Sequence, residues 1–319
     1  MSDPEWRAEF DKYSGKIDNT NNSMSEARFR DQGLLKYWFR GVEKFAPWVR
    51  KIHFVTGGQR PEWLVTEHPK LVHVHHKDFI PEKFLPCFNS TSIEMHMHKI
   101  NDLTDQFVYF NDDFYIINHV TLDRFFVNGL PCDIATFRYT SGLSQWEKRI
   151  KNNIRIINKH FDKKKVMNEF HEKWFHKSYG FKARWNYILQ PYNKFVVLRT
   201  PHNAQPYLKS TFTTAWESAE KELSESASHR FRSVNDLTPE LFRTWQICLG
   251  HFEPYNTYQD TKMFPLMVKP YQAIKAIKNQ SYKLVCLNDS IFIRRYTHIV
   301  EKIQKAFDSI LPEKSSFER

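Results

Sequence analysis

No C-x-x-C pair occurs in this chain, whose four cysteines, Cys87, Cys132, Cys248 and Cys286, are scattered across 319 residues. That spacing argues against a cysteine-zinc site and for reduced thiols in a cytosolic protein. No apolar run approaches the roughly 18 residues of a membrane span. The start, MSDPEWRAEF, is polar and acidic and lacks the pattern of a secretory leader. Internal repeats, low-complexity tracts and recognised nucleic-acid-binding motifs are also missing.

The aromatic content is high, at 16% with 27 Phe, which excludes a disordered tail. A chain of this length buries a large core, as one big α/β domain or one domain with a sizeable insertion. The net charge of +11 and a pI near 9.3 suggest a polyanionic partner. Nucleic acid, an anionic membrane face and phosphate-bearing substrates all satisfy that charge.

Against this background the stretch QFVYFNDDFYII, Gln106 to Ile117, is unusual. Phe107 to Phe110 are residue types of a buried strand, yet they run directly into Asn111, Asp112 and Asp113. Unpaired carboxylates are not buried without compensation, so the strand should end at a surface. A polar turn explains Asn-Asp-Asp, because these side chains bond their own backbone. A metal or phosphate site at the carboxyl end of a parallel strand explains it too.

Upstream, DQGLLKYWFRGVEKFA sets Leu34, Leu35, Trp38, Val42 and Phe45 at helical spacing, with Asp31 in the first turn and Pro47 after the end. KIHFVT and KLVHVHH read as strands, the first running into the glycine loop GGQRP. STSIEMHMHKI is ambiguous. As a strand it would put Glu94, His96 and His98 on one face as metal ligands. As a helix it buries Ile93, Met97 and Ile100, caps itself with Thr91 and Glu94, and leaves His96 in solvent. The serines and threonine before the apolar stripe favour the helix. The alternation of helix, strand, strand, helix, strand points to an α/β sheet wound with helices. Residues 141–193 change character, mixing Lys, Arg and His with Phe, Trp and Tyr. That segment reads as a solvated helical face or as an amphipathic surface for anionic lipid headgroups or an acidic glycan. Near the end, KLVCLND reads as a strand and THIVEKIQKAFDSIL as a closing helix.

Further polar constellations stand out. RTPHNAQPYL holds His202 in a loop between prolines, and HRFRSVNDL gathers Arg230, Arg232 and Asp236. CLND ends a second apolar strand in Asn288 and Asp289, echoing Asn111 and Asp112. Together these residues suit an acid, base and phosphate-binding centre of a transferase or hydrolase. The plainer alternatives are an Arg232–Asp236 ion pair and a solvent-exposed loop histidine.

The long stretch from RFRDQGLLKYWFRGVEKFAPW to QFVYFNDDFYI resembles the second conserved block of the Stealth family. That family comprises sugar-phosphate transferases of bacterial capsule synthesis, related to the animal enzyme that tags lysosomal glycoproteins with N-acetylglucosamine phosphate. TPHNAQPYLK with HRFRSVNDL resembles the third block, LVCLND the fourth, and LPEKSSFE is similar to the family's usual ending. The resemblance is close over residues 28–135 and runs in blocks, in order, over 199–319. Of the family's first block, an apolar strand into Trp-Val-Asp-Gly, only the following DPEW is matched here. Either this sequence starts short of that strand or this member does without it; losing it would remove a sheet strand and part of the nucleotide pocket.

The resemblance implies a single catalytic domain over 1–319 with an α/β, Rossmann-like wound sheet and a helical, basic-aromatic insertion at 141–193. It implies transfer of a sugar 1-phosphate from a nucleotide-sugar to a hydroxyl of an acceptor glycan, lipid-linked or free, with Mg2+ or Mn2+ as cofactor. By position, His202, Glu94, Arg232 and Asp289 match functional residues. His202 is then the base, with Glu94 its competitor, and Arg232 a holder of phosphate oxygens. Asp112, Asp113 and Asp289 are the expected metal ligands; Arg28, Asp31, Asn111 and Asn288 are expected to bind substrate. The expected location is the cytoplasm, with the basic surface towards an anionic membrane face and no nucleic-acid partner. Three rivals remain beside this reading: a metal-dependent glycosyltransferase that moves the sugar without its phosphate, a nucleic-acid binder, and a non-catalytic glycan binder.

Overall fold

The structure is a computed structural model and describes residues 4–14, 32–290 and 292–319. Arg28 and Asp31 lie outside the described residues.

The chain is mixed α/β. Its strands are β1 (Ile52–Thr56), β2 (Leu71–His75), β3 (Gln106–Tyr109), β4 (Phe114–Ile116), β5 (Phe126–Val127), β6 (Leu130–Asp133), β7 (Gln205–Leu208), β8 (Glu253–Pro254), β9 (Thr261–Pro265) and β10 (Leu284–Asn288). Among the described residues they form four small sheets, ordered β1-β2, β4-β10-β9, β3-β7 and β5-β6-β8. β1 and β2 pair in parallel, as do β9 and β10. β3 differs from its expected direction: its partner is β7, antiparallel, with Tyr109 opposite Gln205. A strand followed by three polar residues and a second apolar run carries no local signal for which distant segment pairs with it.

The helix Leu35–Phe45 buries Tyr37, Phe39, Val42 and Phe45, close to the stripe that its spacing predicts. Gly41 lets it press against β4, because a Cβ there would lie 2.6 Å from the Ile116 carbonyl oxygen. The helix Tyr296–Ile310 buries Ile299, Ile303, Phe307 and Ile310. These helices pack with β4, β9 and β10 into one apolar cluster that also takes in Phe317. Near Phe317, Glu318 accepts two hydrogen bonds from Arg40, each of 2.8 Å, which gives the LPEKSSFE ending a structural role.

A second cluster gathers Phe107 and Tyr207 with Phe212, Leu241, Phe242 and Trp245. The basic-aromatic segment feeds it too. The helix Gln145–His160, opened by a Ser144–Glu147 capping box, contributes Ile150, Ile154 and Ile157. Trp174 and Tyr179 are fully buried there, so much of this segment's aromatic content is core and only part is a solvated face.

The expected helix over STSIEMHMHKI is shorter than its pattern. It runs Ser90–Glu94, followed by a 3-10 turn at Met97–Lys99. Asn89, not Thr91, caps it, accepting from the Thr91 amide, and Glu94 takes no part in a capping box. His96 is buried rather than solvated, its Nδ1 2.9 Å from the Ser92 carbonyl and its ring between Phe84 and Trp216. The heavy aromatic content of this core outcompetes solvation of the imidazole.

One buried ion pair fixes the start of β7. Arg243 donates to both oxygens of Asp133, at 2.8 and 2.7 Å, and Gln205 donates to the same carboxylate at 2.9 Å. Replacing Arg243 with leucine leaves a charge fully inside the protein and is expected to remove about 3–5 kcal/mol of stability. A thermal melt that moves by less than a degree or two would contradict that role.

Candidate active site

The site grows out of the sheet ends. β3 ends at Tyr109 and the chain turns through Asn111, Asp112 and Asp113 into β4, which pairs antiparallel with β10. The Leu287 amide donates to the Asp113 carbonyl at 2.9 Å. Hence the start of β4 and the end of β10 share one edge, and Asn111, Asp112, Asp113, Asn288 and Asp289 collect there. β10 runs parallel to β9, so Asn288 and Asp289 do leave the carboxyl end of a parallel strand, where α/β sheets hold ligands.

His202 reaches the same edge from the loop before β7. The register that sets Gln205 against Tyr109 carries residues 201–204 past the Asn-Asp-Asp turn. The imidazole Nε2 lies 3.8 Å from Asp113 Oδ2, and the ring meets Phe114 edge-on at 5.1 Å. The side chain is 42% open to solvent. Partial burial works to lower its pKa, but the Asp113 carboxylate, helped by Glu240 and Glu94, outweighs this and raises it.

Asp113 is the centre of the arrangement. Its Oδ2 accepts from the Cys286 thiol at 3.3 Å, while its Oδ1 is buried without a hydrogen-bond partner. Asp113, His202 and Cys286 each place one donor atom within 4.8 Å of the other two. Burial and Asp113 together push the Cys286 thiol far up, so it stays protonated and donates. The pKa of Asp112 is also raised, first by withdrawal from water and then by the Asp113 charge. An orphaned buried carboxylate oxygen beside a second, mutually repelling carboxylate suits a hard divalent cation better than it suits no cation. Cys286 would not be among that cation's ligands, because oxygen donors are what Mg2+ and Mn2+ prefer.

The third wall comes from Ser90–Glu94 and the loop after His229. Arg232 donates to Ser90 Oγ. The Arg232–Asp236 ion pair, the plainer alternative for this arginine, does not form. Asp236 is fully buried and is bonded instead to His229 Nδ1 at 2.7 Å, the Ser233 amide at 2.8 Å and Asn89 Nδ2 at 3.0 Å. With Asp236 so engaged, Arg232 acts on Glu94 and Asp112 instead. Glu94 sits half-buried beside it, and its pKa is pushed up to about 7, by burial first; Arg232 opposes the rise and Glu240 adds to it. Tyr109, whose hydroxyl donates to Asn111 Oδ1, lies between Glu94 and the Asp112 side.

Pattern reading singled out His202, Glu94, Arg232 and the Asn-Asp strand ends as candidates, and the fold brings Asp113 and His202 within 3.8 Å of each other. It did not find Cys286, Tyr109, Ser90, Glu240 or Arg149. Burial lowers the pKa of the Arg149 guanidinium, which faces Arg232, Asp236, Glu240 and Glu94. Cys286 and Tyr109 look like ordinary strand residues, and only their adjacency to polar strand ends hints at more.

Carboxylates, an imidazole and a guanidinium gathered near one sheet edge make a candidate site suited to phosphate chemistry. The model for "Stealth protein CR2, conserved region 2" matches residues 28–132. The chain is 38% identical to the capsular polysaccharide phosphotransferase WcwK of Streptococcus pneumoniae, covering 99% of this chain and 95% of that one. Identity is 37% to the receptor polysaccharide phosphotransferase WefC of Streptococcus gordonii, over 98% and 94% of the two chains. It is 32% to the exopolysaccharide phosphotransferase cps2G of Lactiplantibacillus plantarum, over 100% and 93%. The chain belongs to the Stealth family.

Proposed function

We propose that this protein transfers a sugar 1-phosphate from a nucleotide-sugar to a hydroxyl of an acceptor glycan in capsular or cell-surface polysaccharide synthesis. The acceptor oxygen attacks the phosphorus nearer the sugar. A P–O bond to the acceptor forms, the bond to the bridging diphosphate oxygen breaks, and a nucleoside monophosphate leaves. The observation that carries this reading is His202 set against Asp113 at the sheet edge, with Arg232 close enough to act on the neighbouring Asp112, in a chain similar to polysaccharide phosphotransferases.

Each side chain has a task in that reaction. His202 Nε2 takes the proton of the acceptor hydroxyl, and Asp113 beside it supports the imidazolium that forms. Arg232, steadied by Ser90, holds phosphate oxygens with its planar fork. Glu94, near neutrality in its pKa, orients Arg232 and is the second candidate for the base. Asn111 and Asn288 offer amides to the donor from the two strand ends. Asp112 and Asp113, with Asp289, would hold Mg2+ or Mn2+, which when bound neutralises diphosphate charge. We also read β1-β2 and β9-β10 as parts of a Rossmann-like sheet in one catalytic domain over 1–319, with 141–193 as an insertion.

The test is nucleotide release from UDP- and GDP-sugars with magnesium and capsule-type glycans. Nucleoside monophosphate formed only with acceptor supports the reading. Nucleoside diphosphate instead would assign the chain to glycosyl transfer.

The same reading sets the enzyme in the cytoplasm against an anionic membrane face. No helix among the described residues is long and apolar enough to cross a membrane. Phe181, Tyr187, Ile188 and Tyr192 are 76%, 58%, 55% and 61% exposed, and the Arg184 guanidinium lies 3.9 Å from the Phe181 ring centre. Aromatic and apolar side chains interleaved with cations suit a headgroup boundary. The variant F181A/I188E is expected to reduce sedimentation with anionic vesicles several-fold while sparing turnover of a soluble acceptor. Equal sedimentation would move the membrane contact elsewhere.

A further inference from the structure

Beyond Asp289 the chain builds a shelf that the reaction described above does not use. It is a pocket of about 430 Å3 between the end of β9, the start of the helix Pro270–Lys278 and the start of the helix Tyr296–Ile310. Met267, Tyr271 and Phe292 line it together with Arg294, Arg295 and His298. The Leu266 amide on its floor donates to the Asn288 carbonyl at 3.0 Å, so the shelf begins where the carboxylate edge stops.

Its composition is unlike ordinary surface. Met267, Tyr271 and Phe292, all lining it, are 52%, 60% and 67% exposed, large apolar side chains left open to water. Lys302 adds a third cation, its Nζ 5.1 Å from the centre of the Tyr271 ring. Among the described residues no carboxylate forms a salt bridge with Arg294, Arg295 or Lys302. Arg295 also holds a left-handed backbone, with φ of 53°, at the head of its helix. A bulky residue in that region carries strain, and such strain collects where a side chain must be aimed.

We propose that this shelf is a binding subsite for a phosphate-bearing saccharide or nucleoside, next to the reacting centre. The inference rests on the sugar-phosphate transfer reading and deepens it. The flat faces of Tyr271 and Phe292 stack on a sugar ring or a base, and the guanidinium forks of Arg294 and Arg295 take the phosphate oxygens. The volume lies within the range of sites for small ligands. Two sources carry that chemistry: the nucleotide end of the donor and a phosphodiester of the acceptor glycan.

The experiment measures equilibrium binding of two probes, uridine 5′-monophosphate and a synthetic disaccharide joined by a phosphodiester, to the full chain and to Y271A/R294A. Circular dichroism and the thermal melt confirm that the variant is folded. Loss of at least tenfold in disaccharide affinity with the nucleotide unchanged assigns the shelf to the acceptor. The reverse pattern assigns it to the donor, and either supports the subsite. Unchanged affinity for both probes, or no binding of either by the parent chain, overturns it. Binding at the shelf without nucleotide release in the transfer assay would unseat the reaction and leave the subsite standing. Transfer with the variant's affinities unaltered would do the opposite.

Discussion

Replacing Asp113 with asparagine is expected to lower kcat/KM for nucleotide release a thousandfold or more while leaving the protein folded. Asp113 faces His202 and Cys286 with one oxygen and leaves the other buried and unpartnered. An amide fills the same volume, and the backbone bond from Leu287 to the Asp113 carbonyl is untouched, so the sheet edge keeps its shape. What disappears is the negative charge. Without it the imidazole loses its main source of raised basicity, and the edge loses one of the two adjacent carboxylates that suit a cation. Removing a single preorganised electrostatic partner typically costs about 10²–10³ in rate, and here two functions fall together. The thermal melt should shift by no more than a few degrees, or rise, because an unsatisfied buried carboxylate oxygen is itself destabilising. The same variant should need more magnesium or manganese for half-maximal residual activity. Activity within tenfold of the parent would remove Asp113 from the centre of the site.

The candidate site residues were legible in the sequence to unequal degrees, and the reasons are physical. Asn-Asp after an apolar strand run, Phe-Val-Tyr-Phe before Asp112 and Leu-Val-Cys-Leu before Asp289, contradicts burial at the scale of three or four residues, so Asp112, Asp113 and Asp289 could be singled out locally. His202 was legible as a loop residue between prolines. Partnership was not legible. Asp236 stands four residues from Arg232 but is claimed by His229, Ser233 and Asn89, the last from 147 positions away. The antiparallel pairing of β3 with β7 depends on a segment nearly a hundred residues later, and no turn chemistry encodes it. The short helix at Ser90–Glu94 illustrates the same competition. Its spacing predicts a longer helix, but Asn89 caps it, tertiary packing buries His96, and Glu94 is turned towards Tyr109 and Arg232. Cys286 gave no signal because a thiol in an apolar strand is ordinarily inert core, and only its register opposite Phe114 brings it to Asp113.

In the proposed reaction Glu94 and His202 are the two candidates for the base, and paired substitutions separate them. His202→Gln is expected to reduce kcat by about 10²–10⁴, the usual contribution of a general base. Glu94→Gln is expected to reduce it about tenfold, because Arg232 loses its neighbouring charge but keeps its bond to Ser90. The stability of the two variants should diverge as well. The folded protein holds the Glu94 proton up to about pH 7, whereas an unfolded chain releases it near 4.5. Between those values the folded state binds more protons, so stability is fully present below pH 4.5 and falls as pH rises through 7. Glutamine cannot ionise and escapes that fall. Glu94→Gln should therefore melt higher than the parent at pH 8, by on the order of 1–3 kcal/mol, and match it near pH 4. Such a gain in stability with a loss of rate is the behaviour of a carboxylate kept in an unfavourable setting for its function. If Glu94→Gln instead abolished turnover while His202→Gln retained it, the proton of the acceptor hydroxyl would pass to Glu94, and His202 would serve only to position Asp113.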